Sequence, residues 1–450
     1  MIGATRVQGP AAMPPSRPPA SHPRDRPDRS YAMSWPRPDR TLAVLFLLGF
    51  SAGLPLPLTG FTLRQWFSEG GVPLGEIGLT ALIGLAYTFK FVWAPVLDHA
   101  RPPLARLGRR RGWLAPVQVA LALAIAALGL TDPATNARAT VTVAVAVAFL
   151  SATQDIVIDA FRIESLPPGR QGLGLAAYVW GYRVAVLVGN AGALTMAEFF
   201  GWRAAFLVLA SLIGIGLATT LLLAREPLAP GTPAPVAWGA RLRLAVVDPF
   251  RDLLTRPGWP LILGFVALYK LGEALAGIMT APFYRALGFS RLDVAAVSGV
   301  FGLVATLAGV ALGGLLVAAI GVGRALLVTG LGQMLSNLMY VALSEAGRSV
   351  PLLWLQVGVE NTTDGLADAA FVAYLSGLTS VAFTATQYAL LSSLAAVPLR
   401  TLGATSGYLA EGMGWTPFFL LTTAAALPGM ALMLALLSRF PPRENGDDPR

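Results

Sequence analysis

Residues 140–164 read TVTVAVAVAFLSATQDIVIDAFRIE, an apolar run of membrane-spanning length that ends in Gln154, Asp155, Asp159 and Arg162. At about 100° per residue, Ser151, Asp155, Asp159 and Arg162 fall within roughly a quarter-turn of one another, so one polar stripe is expected to face away from lipid. A carboxylate pair at membrane depth is costly and marks a functional site by default. A plainer reading stands beside it. Asp159 and Arg162 are spaced i,i+3 and suit an ion pair that only fixes helix packing near the membrane surface.

The rest of the chain has the same character. Its 450 residues are 55% hydrophobic and 13% charged, against about 25% charged in an ordinary soluble domain, which describes an integral membrane protein. Cysteine is absent, so disulfide and thiol chemistry are excluded. The only histidines are His22 and His99, too few for a metal cluster, and no HExxH, Ser/His/Asp or Cys/His set can be assembled. No metal site and no enzyme is expected. The net charge of +9 is not a nucleic-acid signature, because the Arg residues follow membrane topology. All basic residues are Arg except Lys90 and Lys270, and both lysines lie inside apolar runs.

Residues 1–38 are rich in Pro, Arg, Asp and Ser and are expected to form a disordered basic tail. They hold no apolar leader, and Met13 and Met33 are alternative starts. Twelve apolar segments follow, at about 41–63, 75–97, 113–131, 140–161, 172–198, 203–224, 259–284, 293–319, 323–344, 350–376, 379–399 and 415–437. At about 1.5 Å per residue each can cross roughly 30 Å of hydrocarbon. The longest connection, 225–257, carries EPLAPGTPAP and an amphipathic Arg-bearing stretch, and it divides the chain into halves 39–224 and 258–438, with a tail 439–450. Most Arg residues fall on the side of the two tails, which puts both termini in the cytoplasm. The expected fold is all-α and integral to the membrane: twelve transmembrane helices in two six-helix halves.

The halves repeat. Asp155-Ile-Val-Ile-Asp159-Ala returns as Asp364-Gly-Leu-Ala-Asp368-Ala 209 residues later, and Gly201-Trp202 opens segment six as Gly414-Trp415 opens segment twelve, 213 residues later. A parallel repeat of six-helix halves is the layout of major facilitators, whose substrate site lies between the halves near the midplane.

Several constellations carry chemistry. Asp98 ends segment two, and Arg109, Arg110 and Arg111 follow in the loop; this resembles the gating latch of major facilitators, and a solvated basic cluster is the alternative. Segment one is interrupted by Gly49, Gly53, Pro55, Pro57 and Gly60, which bends the helix and frees carbonyls toward protein or a cavity. Arg183 lies midway along segment five and needs a carboxylate partner, Asp155, Asp159 or one on the substrate. Lys270 and Glu273 at i,i+3 form either a structural pair or a proton-linked switch, and Lys90 is placed to snorkel to the surface. Glu360, Asp364 and Asp368 form one stripe on segment ten, so the two halves are expected to present acids to each other. A carboxylate kept from water takes up a proton more readily, as proton coupling requires.

The runs GFSAGLPLPLTGFTLRQW (49–66), YTFKFVWAPVLD (87–98), GRRRGW (108–113), ATQDIVIDAFR (152–162), GYR (181–183), LYKLGE (268–273) and TATQYALLSSL (384–394) together resemble the AmpG family of muropeptide permeases. The resemblance implies proton-driven import of an anionic sugar-peptide, GlcNAc-anhydroMurNAc-peptide, from periplasm to cytoplasm across the bacterial inner membrane, for peptidoglycan recycling and β-lactamase induction. It implies a monomer in the lipid bilayer with no cofactor beyond the proton gradient. Gly49, Gly53, Gln154, Arg183, Lys270 and Gln387 are the expected substrate contacts. Asp155, Asp159, Glu273, Asp364 and Asp368 are expected to carry the proton, and Asp98 with Arg109, Arg110 and Arg111 to gate. Pro57, Phe61 and the basic tail depart from the family pattern, which keeps a carrier of another anion, acyl-CoA-like or a siderophore, as the alternative.

Overall fold

The computed structural model describes residues 39–227, 251–252, 254–255, 257–378 and 384–439, together with Gly3. Helix is the only regular structure among them. The expected basic tail, most of the linker and the C-terminal tail lie outside the described residues. Helix α1 runs over Arg40–Glu69 and begins where the Asp39 carboxylate caps the Thr41 amide at 2.9 Å. It is broken at Leu54 and again at Thr59 and Gly60, since Pro55 and Pro57 have no N–H to give the ladder. The Thr59 hydroxyl donates to the Pro55 and Leu56 carbonyls at 3.3 and 3.2 Å, satisfying part of what the prolines release.

Helices α2 (Leu74–Val92), α3 (Arg109–Gly129) and α4 (Pro133–Ser165) follow, then one helical run, Gln171–Leu223. Gly201, at φ 80° and ψ 162°, breaks that run into arms 171–200 and 201–223, here α5 and α6. The second half comprises α7 (Trp259–Ala286), α8 (Arg291–Ile320) and α9 (Val322–Ala346), then α10 (Val350–Gly377) and α11 (Thr384–Gly403, carried on by Ser406–Met413). Helix α12 is Trp415–Arg439. Among the described residues, nine stretches are long and apolar enough to cross a membrane.

The internal repeat extends to the turns. Gly108 before α3 and Gly321 before α9 have φ of 103° and 78°; Gly201 before α6 and Gly414 before α12 both have φ of 80°. Both pairs are 213 residues apart. Only glycine adopts these angles without strain, so the same left-handed entry is built into both halves.

Helix α1 packs closely on α5. A Cβ on Gly49 would overlap the Tyr178 carbonyl, one on Gly53 the Tyr182 carbonyl, and one on Gly181 the Phe46 carbonyl. In lipid, helices associate through such close approach of small residues rather than through apolar burial. Gly49 and Gly53 are fully buried in this contact. They join α1 to α5, where a substrate contact was expected from the family pattern.

Among the contacts between the halves, Phe61–Glu69 of α1 packs on α7 and Leu74–Leu79 of α2 packs on Ser406–Met413 of α11. The Gly75 N–H donates to Glu411 Oε2 across that second contact at 3.1 Å. Both contacts lie toward the end of the bundle that holds Glu69. The opposite, basic end gathers Arg40, whose Nε donates to the Leu223 carbonyl at 3.1 Å, with Arg109 to Arg111. Gly181→Leu would force α1 off α5 and is expected to destabilise the protein by about 1–3 kcal/mol; thermal unfolding in detergent checks it, and an unchanged midpoint would contradict the packing described.

Candidate functional site

Two clusters of charge sit inside the bundle, one in each half. In the first, Lys90 of α2 turns to α4, with Nζ 3.9 Å from Asp155 and 3.7 Å from Asp159. Lys90 thus pairs with the stripe instead of snorkelling. Asp159 also lies 3.6 Å from Arg162, whose guanidinium sits 6.0 Å from the Tyr178 ring centre. Asp155 is nearly buried, and its Oδ1 has no hydrogen-bond partner. The helical stripe is therefore real, and it contains both the ion pair and a carboxylate that is only half used.

In the second half, Lys270 of α7 lies 2.8 Å from Asp364 and 3.0 Å from Glu273, and also contacts Asp368. Gln333 of α9 donates to Glu273 at 2.9 Å and to Asp364 at 3.2 Å. Three carboxylates therefore share one ammonium. One turn along α10, the Tyr284 hydroxyl donates to Gln356, which donates to Glu360, at 2.6 and 2.7 Å.

Among the described residues, the acids of α4 and α10 do not form ion pairs with groups of the opposite half. Each pair is held by a lysine of its own half, and these are the only two lysines in the chain. Arg183 makes no hydrogen bond or ion pair among the described residues and lies within electrostatic reach of Asp368 across the halves; of the three partners expected for it, Asp155 and Asp159 are not paired with it. Gln154 has no exposed surface. It accepts from the Ser51 hydroxyl at 3.1 Å and donates to the Ser51 carbonyl at 3.0 Å, so it joins α1 to α4 where a substrate contact was expected. The side chain of Gln387 lies outside the described residues.

At the basic end, Arg110 binds Asp98 at 2.8 Å and Glu164 at 2.7 Å, and Arg109 binds Glu164 at 2.7 Å. The Arg110 and Arg111 amides donate to Glu226 at 2.7 and 3.0 Å, and the Arg111 guanidinium donates to the Thr220 and Leu221 carbonyls. The expected Asp98–Arg110 pair forms, but among the described residues no partner comes from the second half. Glu164 and Glu226, not foreseen from the loop motif, complete it. Nearby, the Arg170 guanidinium, helped by the Thr41 amide, holds the Asp39 carboxyl below the ordinary carboxylate range.

The link between halves is at the other end and was not anticipated. Arg291 of α8 reaches Glu69 of α1, with Nη2 at 2.6 Å and Nε at 3.0 Å, and donates to the Ala197 carbonyl at 3.0 Å. Glu69 also accepts from the Trp202 indole at 2.7 Å, and the Arg291 guanidinium lies 5.5 Å from the Trp202 ring centre. Glu69 is 8% exposed, so this is a shielded ion pair and not a surface one.

Two repeated helical halves, each with its own charge cluster, define a secondary transporter rather than an enzyme. Residues 41–398 match the family model of the Major Facilitator Superfamily. The anhydromuropeptide permease of Escherichia coli K12 is 41% identical over 394 residues, covering 87% of this chain and 79% of that protein. A Rickettsia felis transporter named AmpG 4 is 31% identical over 406 residues, covering 88% and 97%. The chain belongs to the Major Facilitator Superfamily and, within it, to the AmpG family. Its fold resembles that of a bacterial homologue of the human lysosomal transporter Spinster, with a TM-score of 0.66 at 15% identity over 89% of this chain and 96% of that one.

Removing the ammonium leaves its carboxylates unpaired, so Lys270→Met is expected to lose about 2–4 kcal/mol, less than a fully buried pair because Asp368 is half exposed. Denaturation of the purified variant measures it; wild-type stability would show that the cluster is already neutral without the lysine.

Proposed function

We propose that this protein is a proton-coupled importer of anhydro-muropeptides in the bacterial inner membrane, working as a monomer. The observation that carries the reading is the 41% identity to an anhydromuropeptide permease over 87% of the chain. Twelve crossings follow if α5 and α6 each cross, and if α10 and α11, kept off the apolar count by their polar content, cross as well. The basic end is then cytoplasmic, with both termini, in line with the positive-inside bias. The periplasmic end is the one that Arg291 and Glu69 hold shut, so the arrangement corresponds to an inward-facing state.

The charge clusters suit the coupling. Three carboxylates around Lys270 leave excess negative charge in a confined site, and one proton there relieves it. Asp155, with one oxygen unpartnered, is the corresponding acceptor in the first half. Arg183 is free to meet an anionic group of the substrate between the halves, and Lys270 exchanges a carboxylate for it when the cluster is protonated. Pro57 and Phe61 line the cavity beside the α1 break; their bulk favours, as the alternative, a major facilitator carrier of another anionic metabolite.

Uptake of a labelled anhydro-disaccharide tripeptide into proteoliposomes tests the reading. Accumulation above equilibrium is expected only when the outside is more acidic than the inside. Asp155→Asn and Asp159→Asn should lose that accumulation while retaining exchange of internal for external substrate. No movement of the sugar-peptide in the wild type would remove the substrate assignment, and accumulation indifferent to the pH gradient would remove the coupling.

A further inference from the structure

A cavity of about 300 Å³ lies beside the break in α1 and is lined from both halves. Thr59 and Arg64 of α1, Tyr87 of α2 and Asn190 of α5 face it from the first half, and Arg400 of α11 from the second. Among the described residues, none that lines it is acidic. Neither Arg64 nor Arg400 has a side-chain hydrogen bond or an ion pair among the described residues, and the Nε of each is shielded without a partner. Asn190 Oδ1 is unpartnered in the same way, and the Tyr87 hydroxyl lies beside those of Thr59 and Ser151. The two guanidinium charges are close enough to act on each other.

An arginine held at membrane depth for structural reasons is paired with a carboxylate or with carbonyls. Lys90 and Lys270 follow that rule. Arg64 and Arg400 do not, and they are brought toward each other across the boundary between the halves. The Arg400 guanidinium is accommodated by a missing side chain, since a Cβ on Gly84 would overlap it. Two forks of N–H donors converge on one space, with a hydroxyl beside them and an amide oxygen able to accept an N–H. Guanidinium groups match carboxylate geometry bidentately, and Asn190 supplies the acceptor that a peptide amide needs.

We infer that Arg64 and Arg400 form a carboxylate-binding site that holds the peptide portion of the transported substrate, with Asn190 and Tyr87 recognising its amide groups. The inference rests on the sugar-peptide reading above for its ligand, but not for its chemistry. Because the two arginines belong to different halves, one bound carboxylate draws the halves together at this level. Gly84 acts as a positioning residue for Arg400.

The test compares an anhydro-disaccharide tripeptide with free carboxylates against the same compound with those carboxylates amidated, using the full chain in proteoliposomes. The wild type should show a KM for the free acid lower by roughly tenfold or more. Arg64→Gln, Arg400→Gln and Gly84→Val should each abolish that preference, while Arg400→Lys recovers part of it. In parallel, thermal stabilisation of the detergent-purified protein by the free tripeptide is compared with that by its amide. Equal KM values for acid and amide in the wild type, or an undiminished preference in both glutamine variants, would overturn the site. If the wild type moves neither sugar-peptide, but the tripeptide acid stabilises it more than the amide and the variants lose this, the site stands and the muropeptide reading falls. If the acid stabilises no better than the amide in that case, both fall.

Discussion

Charge taken into a membrane has to be neutralised locally, and the way this chain does so sets what its halves are free to do. Lys90 is matched by Asp155 and Asp159, and Lys270 by Glu273, Asp364 and Asp368, without help from the opposite half. The cluster at the basic end is likewise built from the first half, with Glu226 of the connection that follows it. Charges neutralised within one body travel with it. Arg64, Arg183 and Arg400 stand outside these clusters without a partner among the described residues, and the ion pairs that join the halves, Arg291 with Glu69 and with Glu198, sit at one end of the bundle.

Close packing by glycine serves both kinds of contact. Gly49, Gly53 and Gly181 let α1 lie directly on the backbone of α5, and Gly309 and Gly365 do so between α8 and α10, where a Cβ would overlap the Thr362 and Thr306 carbonyls. The same device joins the halves, where a Cβ on Gly407 would overlap the Leu74 carbonyl and one on Gly299 the Ala191 side chain. Between halves, α2 lies along α11 and α8 along α5, in addition to the contact of Phe61–Glu69 with α7.

Much of this was legible in the chain. The apolar runs, the acidic stripes at helical spacing, the Gly-Trp repeat and the Asp98–Arg110 pair are local patterns, and they persist. What was not legible depends on neighbours distant in sequence: that Lys90 belongs to the α4 acids, that Gln154 turns to Ser51, that Glu69 finds Arg291. A polar or bending residue reads as ligand-facing until the helix it touches is known. The two cavity arginines were hidden for another reason. Apolarity marks where a span meets water only if the span is surrounded by lipid, and beside a cavity it does not, so runs that end at 63 and 399 in the sequence continue as helix to Glu69 and, through a turn, to Met413.

The Glu69 carboxylate is shared between Arg291 of the other half and the Gln65 amide and Trp202 indole of its own. Were the halves to separate, Arg291 would leave while Gln65 and Trp202 remained, so the acid would keep two donors and not stand wholly bare. The difference between the shut and parted forms is thus a fraction of the full ion-pair energy. A bias of about 2 kcal/mol would keep the parted form at a few per cent of molecules, a population that differential affinity for a ligand or a proton can readily enlarge. Gln65 and Trp202 thus lower the electrostatic cost that parting from Arg291 would carry for Glu69.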